Sequence, residues 1–391
     1  MPRVILYKGT FAYDAVNVFI RELAAGLSDL GREVTIIDLT TEKATRAQRV
    51  REALSQPFEC IVSFAGIGFH PRSEELGLRM YSNLPAPFVT VLVDHPSCAL
   101  ELFAMRDMLI TCYDRSHVAF LQKYLGPDRK IGFLPHGGSV AGQGAALEKR
   151  SIDVLFPGSF ANVDEAYARF RAACSDEVFD ILDYVVERLI QADCEPMEDA
   201  LSTVLHAESR DEWWRKLSEY LPLLESFVKP YKRMEVLTHL DRAGIAVEIV
   251  GSSWPPDLFR HHKVRPAVPY PEVLQMMRQS KIVLNMGFVP DGSHERAFSA
   301  MLNGAVPACD FNRYLAERFT DGNEILLFRW TQLQQLPAML MRTLGDDARR
   351  QEQSAKAAAA ASKDTWAARA PLLLDFVRSA AHAGPVPGAS P

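Results

Sequence analysis

Apolar positions along this chain fall into short unbroken runs separated by stretches with helical spacing. Residues 3–7 (RVILY) form the first run. Val16, Phe19, Ile20, Leu23, Leu27 and Leu30 then recur every three or four positions, the spacing of one helix face. Asp14 stands where an N-cap belongs and Gly31 where a helix stops. EVTIIDL follows, so the opening predicts strand, helix, strand, a right-handed parallel unit. A helix over 43–55 and strands in CIVSFAGIG, FVTVLVD, MLITCY and KIGFLPHGG continue the alternation. Strands apolar on both faces and rich in Val and Ile are those of a parallel sheet covered by helices on both sides. The expectation is a doubly wound, Rossmann-like α/β domain over 1–139.

Residues 139–150 (SVAGQGAALEKR) have the composition of a connector. A second α/β domain is expected over 151–363, with strands in IDVLFPG, VEIVG, KIVLNMGF, AVPACD and EILLF. Between its first two strands, 163–228 contains no good strand. Its apolar residues, among them Phe170, Leu182, Val185, Leu189, Leu217 and Leu224, favour a helical insertion. Residues 332–345 read as helical, and the alanine run 357–361 suits a helix. A terminal helix over 364–382 is expected to pack back on the first domain, and 383–391 to be a frayed tail.

The 391 residues and 43.7 kDa exceed one ordinary core and agree with two domains. Forty-three Lys and Arg against forty-nine Asp and Glu leave a net charge of -6, which argues against nucleic acid as a main partner. The start carries no apolar signal region and no run approaches the length of a spanning helix, so a cytoplasmic protein with at most peripheral membrane contact is expected. The six cysteines form no C-x-x-C pair, and His261 and His262 lack metal spacing, so neither a disulfide framework nor a metal site is signalled.

In open parallel sheets ligands lie beyond the carboxyl ends of the strands, and in two-lobed chains they favour the cleft between lobes. The positions this singles out are Gly9, Thr10, His70, Asp94, His95, His136 and Gly137 in the first domain. In the second they are Gly158, Ser159, Gly251, Ser252, Trp254, Asn285, Asp291, Ser293, His294, Glu295, Arg296 and Asp310. No G-x-G-x-x-G and no G-x-x-x-x-G-K-[ST] occurs at these turns, which excludes the usual dinucleotide and P-loop motifs. KIVLNMGFVPDGSHERAFSAMLNGAVPACD predicts a strand, a glycine-containing loop and a helix starting near Ser293. The free N–H groups and positive end of such a helix suit a diphosphate, with Arg296 adding a charged donor.

This block, with IDVLFPGSF, KRMEVLTHLDRAGIAVEIVGSSWP and YPEVLQMMRQSKIVLN in the same order upstream, resembles the donor-side signature of GT-B glycosyltransferases, in particular the CgeB-like (spore-maturation type) branch. The resemblance covers about half of the second domain. It implies two Rossmann-like domains facing a cleft, with the C-terminal one holding a nucleotide-diphosphate sugar as co-substrate and the N-terminal one the acceptor. It implies transfer without a metal or other cofactor to a hydroxyl of a glycan, lipid-linked glycan or protein. Arg296, the N–H groups near Ser293 to Glu295, and Lys232 or Arg233 would face the diphosphate, and His136 with Gly137 would approach the sugar. Ser299 stands where many relatives carry a ribose-binding Glu, with Glu295 one turn away.

Asp94 and His95 follow a strand and suit a base that takes the acceptor proton; equally, Asp94 suits an N-cap and His95, before Pro96, a turn. Trp213 and Trp214 read as core and rim more readily than as a sugar platform. An epimerase or hydrolase on the same fold, and a catalytically silent GT-B subunit, are the competing readings.

Overall fold

The computed structural model describes residues 1–74, 76–81, 84–142 and 150–382; most of the expected connector (143–149) and the expected tail (383–391) lie outside the described residues. The chain divides into two units, Met1–Gly137 with the segment from Asp364, and Gly138–Lys363.

The first unit contains β1 (Arg3–Lys8), α1 (Ala15–Asp29), β2 (Glu33–Asp38), α2 (Lys43–Leu54), β3 (Cys60–Phe64), α3 (Leu78–Tyr81), β4 (Phe88–Val91), β5 (Leu109–Cys112), α4 (Arg115–Leu125) and β6 (Ile131–Phe133). Its sheet is parallel, in the order β2-β1-β3-β4-β5-β6. Val4 lies opposite Val34 on one side and Cys60 on the other. Every residue of β3, β4 and β5 is buried, which is why these strands read as continuous apolar runs. Asp14 does occupy the N-cap position of α1, but at φ 59° it makes no capping bond. Its carboxylate accepts from Asn17 Nδ2 instead (2.6 Å).

The second unit contains β7 (Ile152–Pro157), α5 (Val163–Ala173), α6 (Asp176–Gln191), α7 (Met197–Ala207), α8 (Trp214–Leu217), α9 (Leu221–Arg242), β8 (Glu248–Val250), β9 (Lys263–Arg265), α10 (Tyr270–Gln279), β10 (Ser280–Asn285), α11 (Glu295–Leu302), β11 (Val306–Asp310), α12 (Arg313–Arg318), β12 (Leu326–Phe328), α13 (Leu336–Gly345) and α14 (Asp347–Ala361). Its sheet runs β12-β11-β10-β7-β8-β9, again parallel. Val154, Phe156, Ile282 and Leu284 from the central strands meet Leu237 and Leu240 of α9 and Leu336 and Leu340 of α13 in a common core.

Two features depart from the sequence reading. β9 (Lys-Val-Arg) is a three-residue edge strand without an apolar run. The helical insertion has no boundary at 228, because α9 passes through Pro230 without ending. Lys232 and Arg233 therefore sit inside a long helix, not at a helix start.

The last helix, α15 (Trp366–His382), belongs to the first unit and packs on α1. Gly26 permits this approach, since a Cβ there would lie 2.2 Å from the Ala367 carbonyl oxygen. Trp366 is 1% exposed, stacked on Phe19 at 4.8 Å and edge-on to Phe64 at 5.3 Å. No described helix is long and apolar enough to cross a membrane.

Candidate functional site

A doubly wound sheet opens a crevice where the strand order reverses. In the second unit this falls between β7 and β10, because β8 and β9 extend the sheet on one side and β11 and β12 on the other. Two arginines from distant helices converge there. Arg233, on α9, donates through one terminal nitrogen to the Ser159 carbonyl (3.1 Å), and its guanidinium lies 5.3 Å from the Phe156 ring centre. Arg296, in the first turn of α11, donates to Asn285 Oδ1 (3.1 Å) and lies 5.9 Å from the same ring.

Among the described residues neither guanidinium is ion-paired, and Arg233 Nε is buried without a hydrogen-bond partner. Burial, with Arg296 beside it, pushes the Arg233 pKa down to about 10. Asp310 opposes that shift, and an anion between the two guanidinium groups would offset their mutual repulsion.

The surroundings hold this pair in place. Asn285 is 2% exposed and reaches Cys309 Sγ with its amide nitrogen (3.7 Å), which orients its oxygen toward Arg296. Asp310, at the end of β11, accepts from the N–H groups of Gly287 (3.0 Å) and Phe288 (3.1 Å). Phe288 has φ 52°, a left-handed conformation that costs a bulky residue about 1–3 kcal/mol, so the carboxylate pins a strained loop. Burial raises the Asp310 pKa, against those two N–H bonds and the nearby Lys232.

Lys232, next to Arg233 on α9, has partners of its own. Its ammonium donates to the Ala192 carbonyl (2.6 Å) and sits 5.2 Å from the ring centres of both Phe288 and Trp330. Burial lowers its pKa to about 8, with Asp310 and Asp193 opposing. The structure brings both Lys232 and Arg233, the alternatives left open in sequence, to one pocket. Lys229, Lys232, Arg233, Met286, Phe288 and Trp330 line that pocket, which is partly open to solvent.

The N-terminus of α11 is less open than expected. The helix begins at Glu295, and His294 caps it by accepting from Arg296 N–H at Nδ1 (3.3 Å). The same Nδ1 lies 2.7 Å from Glu295 Oε2, a contact that requires a proton where the cap requires a lone pair, so the two compete. Burial lowers the His294 pKa, which favours the neutral, capping form, while Glu295 opposes. Ser293 is fully buried. The anion-binding potential therefore rests on Arg233 and Arg296 more than on open N–H groups.

Several expected ligand contacts are built into the interior instead. Ser299 is 0% exposed; its hydroxyl accepts from Ser139 N–H (3.0 Å) and meets the Tyr270 hydroxyl (3.0 Å), bracing α11 against α10. Trp254 belongs to the core and donates its indole N–H to the Gly158 carbonyl (2.6 Å). Ser159 Oγ bonds the backbone and side chain of Ser252, and Gly251 is needed because a Cβ there would lie 2.2 Å from Gly158 O. Ser159, Gly251 and Trp254 thus tie two strand-end turns together.

In the first unit, Gly9 is sutured to Asn17 by two hydrogen bonds, and Thr10 is exposed. His95 is 2% exposed, engages Ser97 through Nδ1 (2.6 Å) and packs on His117 and Phe120, whereas Asp94 is exposed. His136 is buried between Tyr113 and Trp366, and its carbonyl takes two bonds from Arg369. The close approach at Gly137 is to the Trp366 backbone, 2.3 Å from a Cβ built there.

Residues missed in sequence are Lys229, Phe156, Asp193 and Trp330. Only Lys229 carried a signal, three positions before Lys232 and so on the same helix face.

Residues 232–375 match the sequence model of a family described as glycosyl transferase-like. No curated protein sequence matches the chain. Among solved structures, it is similar to an alpha-glucosyltransferase in complex with UDP-glucose and DNA containing an abasic site, at 10% identity and TM-score 0.57, covering 96% of this chain and 99% of that one. It is similar to sucrose-phosphate synthase from Thermosynechococcus elongatus, at 10% identity and TM-score 0.56, covering 98% and 100%. It is also similar to Anabaena HepE in complex with UDP and glucose, at 11% identity and TM-score 0.52, covering 97% and 100%. At such identities the likeness concerns the fold, which is GT-B over nearly the whole chain.

Proposed function

We propose that this chain is a glycosyltransferase that binds a nucleotide-diphosphate sugar in its second unit and transfers the glycosyl group to a hydroxyl of a glycan, lipid-linked glycan or protein. The observation that carries the reading is the pair of guanidinium groups at the sheet's reversal point, neither of them ion-paired among the described residues. In the reaction an acceptor oxygen attacks the anomeric carbon, the bond from that carbon to the diphosphate oxygen breaks, and the diphosphate leaves with the electron pair. The acceptor proton passes to a base or to water. Charge grows on the leaving diphosphate, and two fixed cations in a poorly solvated crevice are suited to receive it.

The match of 232–375 to a glycosyl transferase-like family supports the activity. The UDP or UDP-glucose named for similar structures supports the donor class. The motifs upstream of Arg296 favour the CgeB-like branch, and a cytoplasmic site of action fits the absence of a membrane-crossing helix among the described residues. We assign the neutralisation of the leaving group to Arg233 and Arg296 without a metal ion.

The test is a thermal-shift panel of UDP-, GDP- and dTDP-sugars with EDTA present and a CMP-sugar as the monophosphate control. A ligand at 100 times its Kd adds about 2.7 kcal/mol to stability. Stabilisation by one diphosphate series is expected; no response from any of them refutes the reading, and a response that EDTA abolishes refutes the metal-free assignment.

A further inference from the structure

The last two residues of β11 both act on the way the chain leaves β10. Cys309, opposite Asn285 in the sheet register, meets through Sγ the Asn285 amide nitrogen, whose companion oxygen serves Arg296. Asp310 divides its carboxylate between consecutive N–H groups, Oδ1 taking Gly287 (3.0 Å) and Oδ2 taking Phe288 (3.1 Å). The same loop is tied further along at the Pro290 carbonyl, by Arg313 N–H (3.0 Å) and the Cys194 thiol (2.8 Å). Gly287 in turn lies against the cap of α11, since a Cβ built on it would be 3.5 Å from His294 Cδ2. A run of contacts therefore leads from the Asp310 carboxylate through Gly287 and His294 to Arg296 in the first turn of α11.

Electrostatics alone gives this residue the wrong sign for an anion site. A carboxylate near Lys232 and Arg233 repels a diphosphate brought to Arg233, and burial already opposes its charge. Its hydrogen bonds supply the reason for it. A carboxylate presents an acceptor to each of the two donors, whereas an amide would set its own NH2 group against one of them. Phe288 sits at φ 52°, a conformation that persists in a bulky residue only where its surroundings hold it. We propose that Asp310 is a positioning residue of the diphosphate site: it holds the Gly287–Phe288 turn so that the loop delivers Arg296 to the anion, and this placement outweighs the repulsion of its own charge. The role rests on the diphosphate reading, because Arg296 is the link to the ligand.

Calorimetric titration of the full chain with UDP, GDP and dTDP finds the nucleotide that binds, and the variants are then compared with it at one ionic strength. Asp310→Glu keeps the charge but lengthens the side chain by a methylene, and is expected to raise Kd about tenfold, equivalent to about 1.4 kcal/mol. Asp310→Asn removes the charge and one acceptor, and is expected to raise Kd at least about threefold although the site becomes more positive. Arg296→Lys keeps a charge but not the fork of donors; in that background both changes should shrink to within about twofold, because residues that act through one another are not additive. Thermal unfolding checks that each variant is folded. Tighter binding by Asp310→Asn, with Asp310→Glu unchanged, would show that the carboxylate acts through its charge and overturns the proposal. Losses that persist in full beside Arg296→Lys overturn it too, as does failure of both Asp310 variants to fold, which would make the residue a determinant of the fold. In each of these cases nucleotide binding by the unaltered protein preserves the diphosphate reading, whereas failure of every nucleotide to bind ends both.

Discussion

The two units share an architecture of six parallel strands with one reversal of order, yet they treat the polar side chains at their strand ends differently. In the first, Asn17, His95 and His136 are buried and engaged by neighbours of the same unit, through hydrogen bonds to Gly9, Ser97 and Arg369. In the second, Arg233, Arg296 and Lys232 make no ion pair among the described residues, although Asp310 acts on both Lys232 and Arg233 from nearby. The first set is bonded within its own unit, whereas the second brings three cations close together. Polar residues after a parallel strand are thus not equivalent markers of function; what separates them is whether the fold already satisfies them.

The comparison breaks most visibly at Trp366. Trp366→Ala removes a fully buried ring from the contact with Phe19 and Phe64 and should destabilise the first unit by about 3–5 kcal/mol, read by denaturant unfolding. Nucleotide-induced stabilisation that survives in the remaining folded protein would place binding in the second unit. Arg296→Ala, and separately Arg233→Met, should leave the protein folded and lower kcat/KM by about 100-fold, near 2.7 kcal/mol of transition-state stabilisation. Unchanged kinetics in both would remove the arginine pair from the mechanism.

Lys232→Met should have the opposite sign on stability. The folded-state pKa of about 8 lies below the unfolded value near 10.5, so the cost of burying the charged form is fully present below pH 8 and fades as pH rises between the two values. The groups acting on it are Asp193, Cys194, Glu195 and Asp310. At pH 7 the ligand-free variant should be about 1–3 kcal/mol more stable than the parent, the full shift discounted for partial exposure, and the gain should shrink toward pH 10.5. A variant less stable at pH 7 would show that Lys232 is a structural pillar. The smallest effect is expected at Asp94: Asp94→Asn, on an exposed side chain, should change stability by less than about 0.5 kcal/mol and leave kcat within a factor of about two. A large loss of kcat would restore it as a catalytic residue.

Much of the fold was legible along the chain because its signals are local. β3, β4, β5 and β10 are buried on nearly every position, and such strands announce themselves as runs of Val, Ile and Phe. Gly304 with φ 74° ends α11 where the pattern ended it, and the loop before that helix was found within two residues. β9 escaped because an edge strand of three residues, two of them charged, has no apolar run to show. α9 was divided because Pro230 ordinarily disfavours a helix interior and is tolerated here by burial within the packed insertion.

The sequence by itself determined that two parallel α/β layers would form, and that a basic helix and a Gly-bearing loop would stand near strand ends. Only the tertiary structure decided which residues remain available for a ligand. Ser299 and Trp254 looked open and are enclosed, while Arg233 and Arg296, remote in the chain, meet across Phe156 and leave a buried donor unpaired. The reason is that strand and helix periodicity record which face of an element is buried, whereas the satisfaction of a polar group depends on partners from elements far apart in sequence.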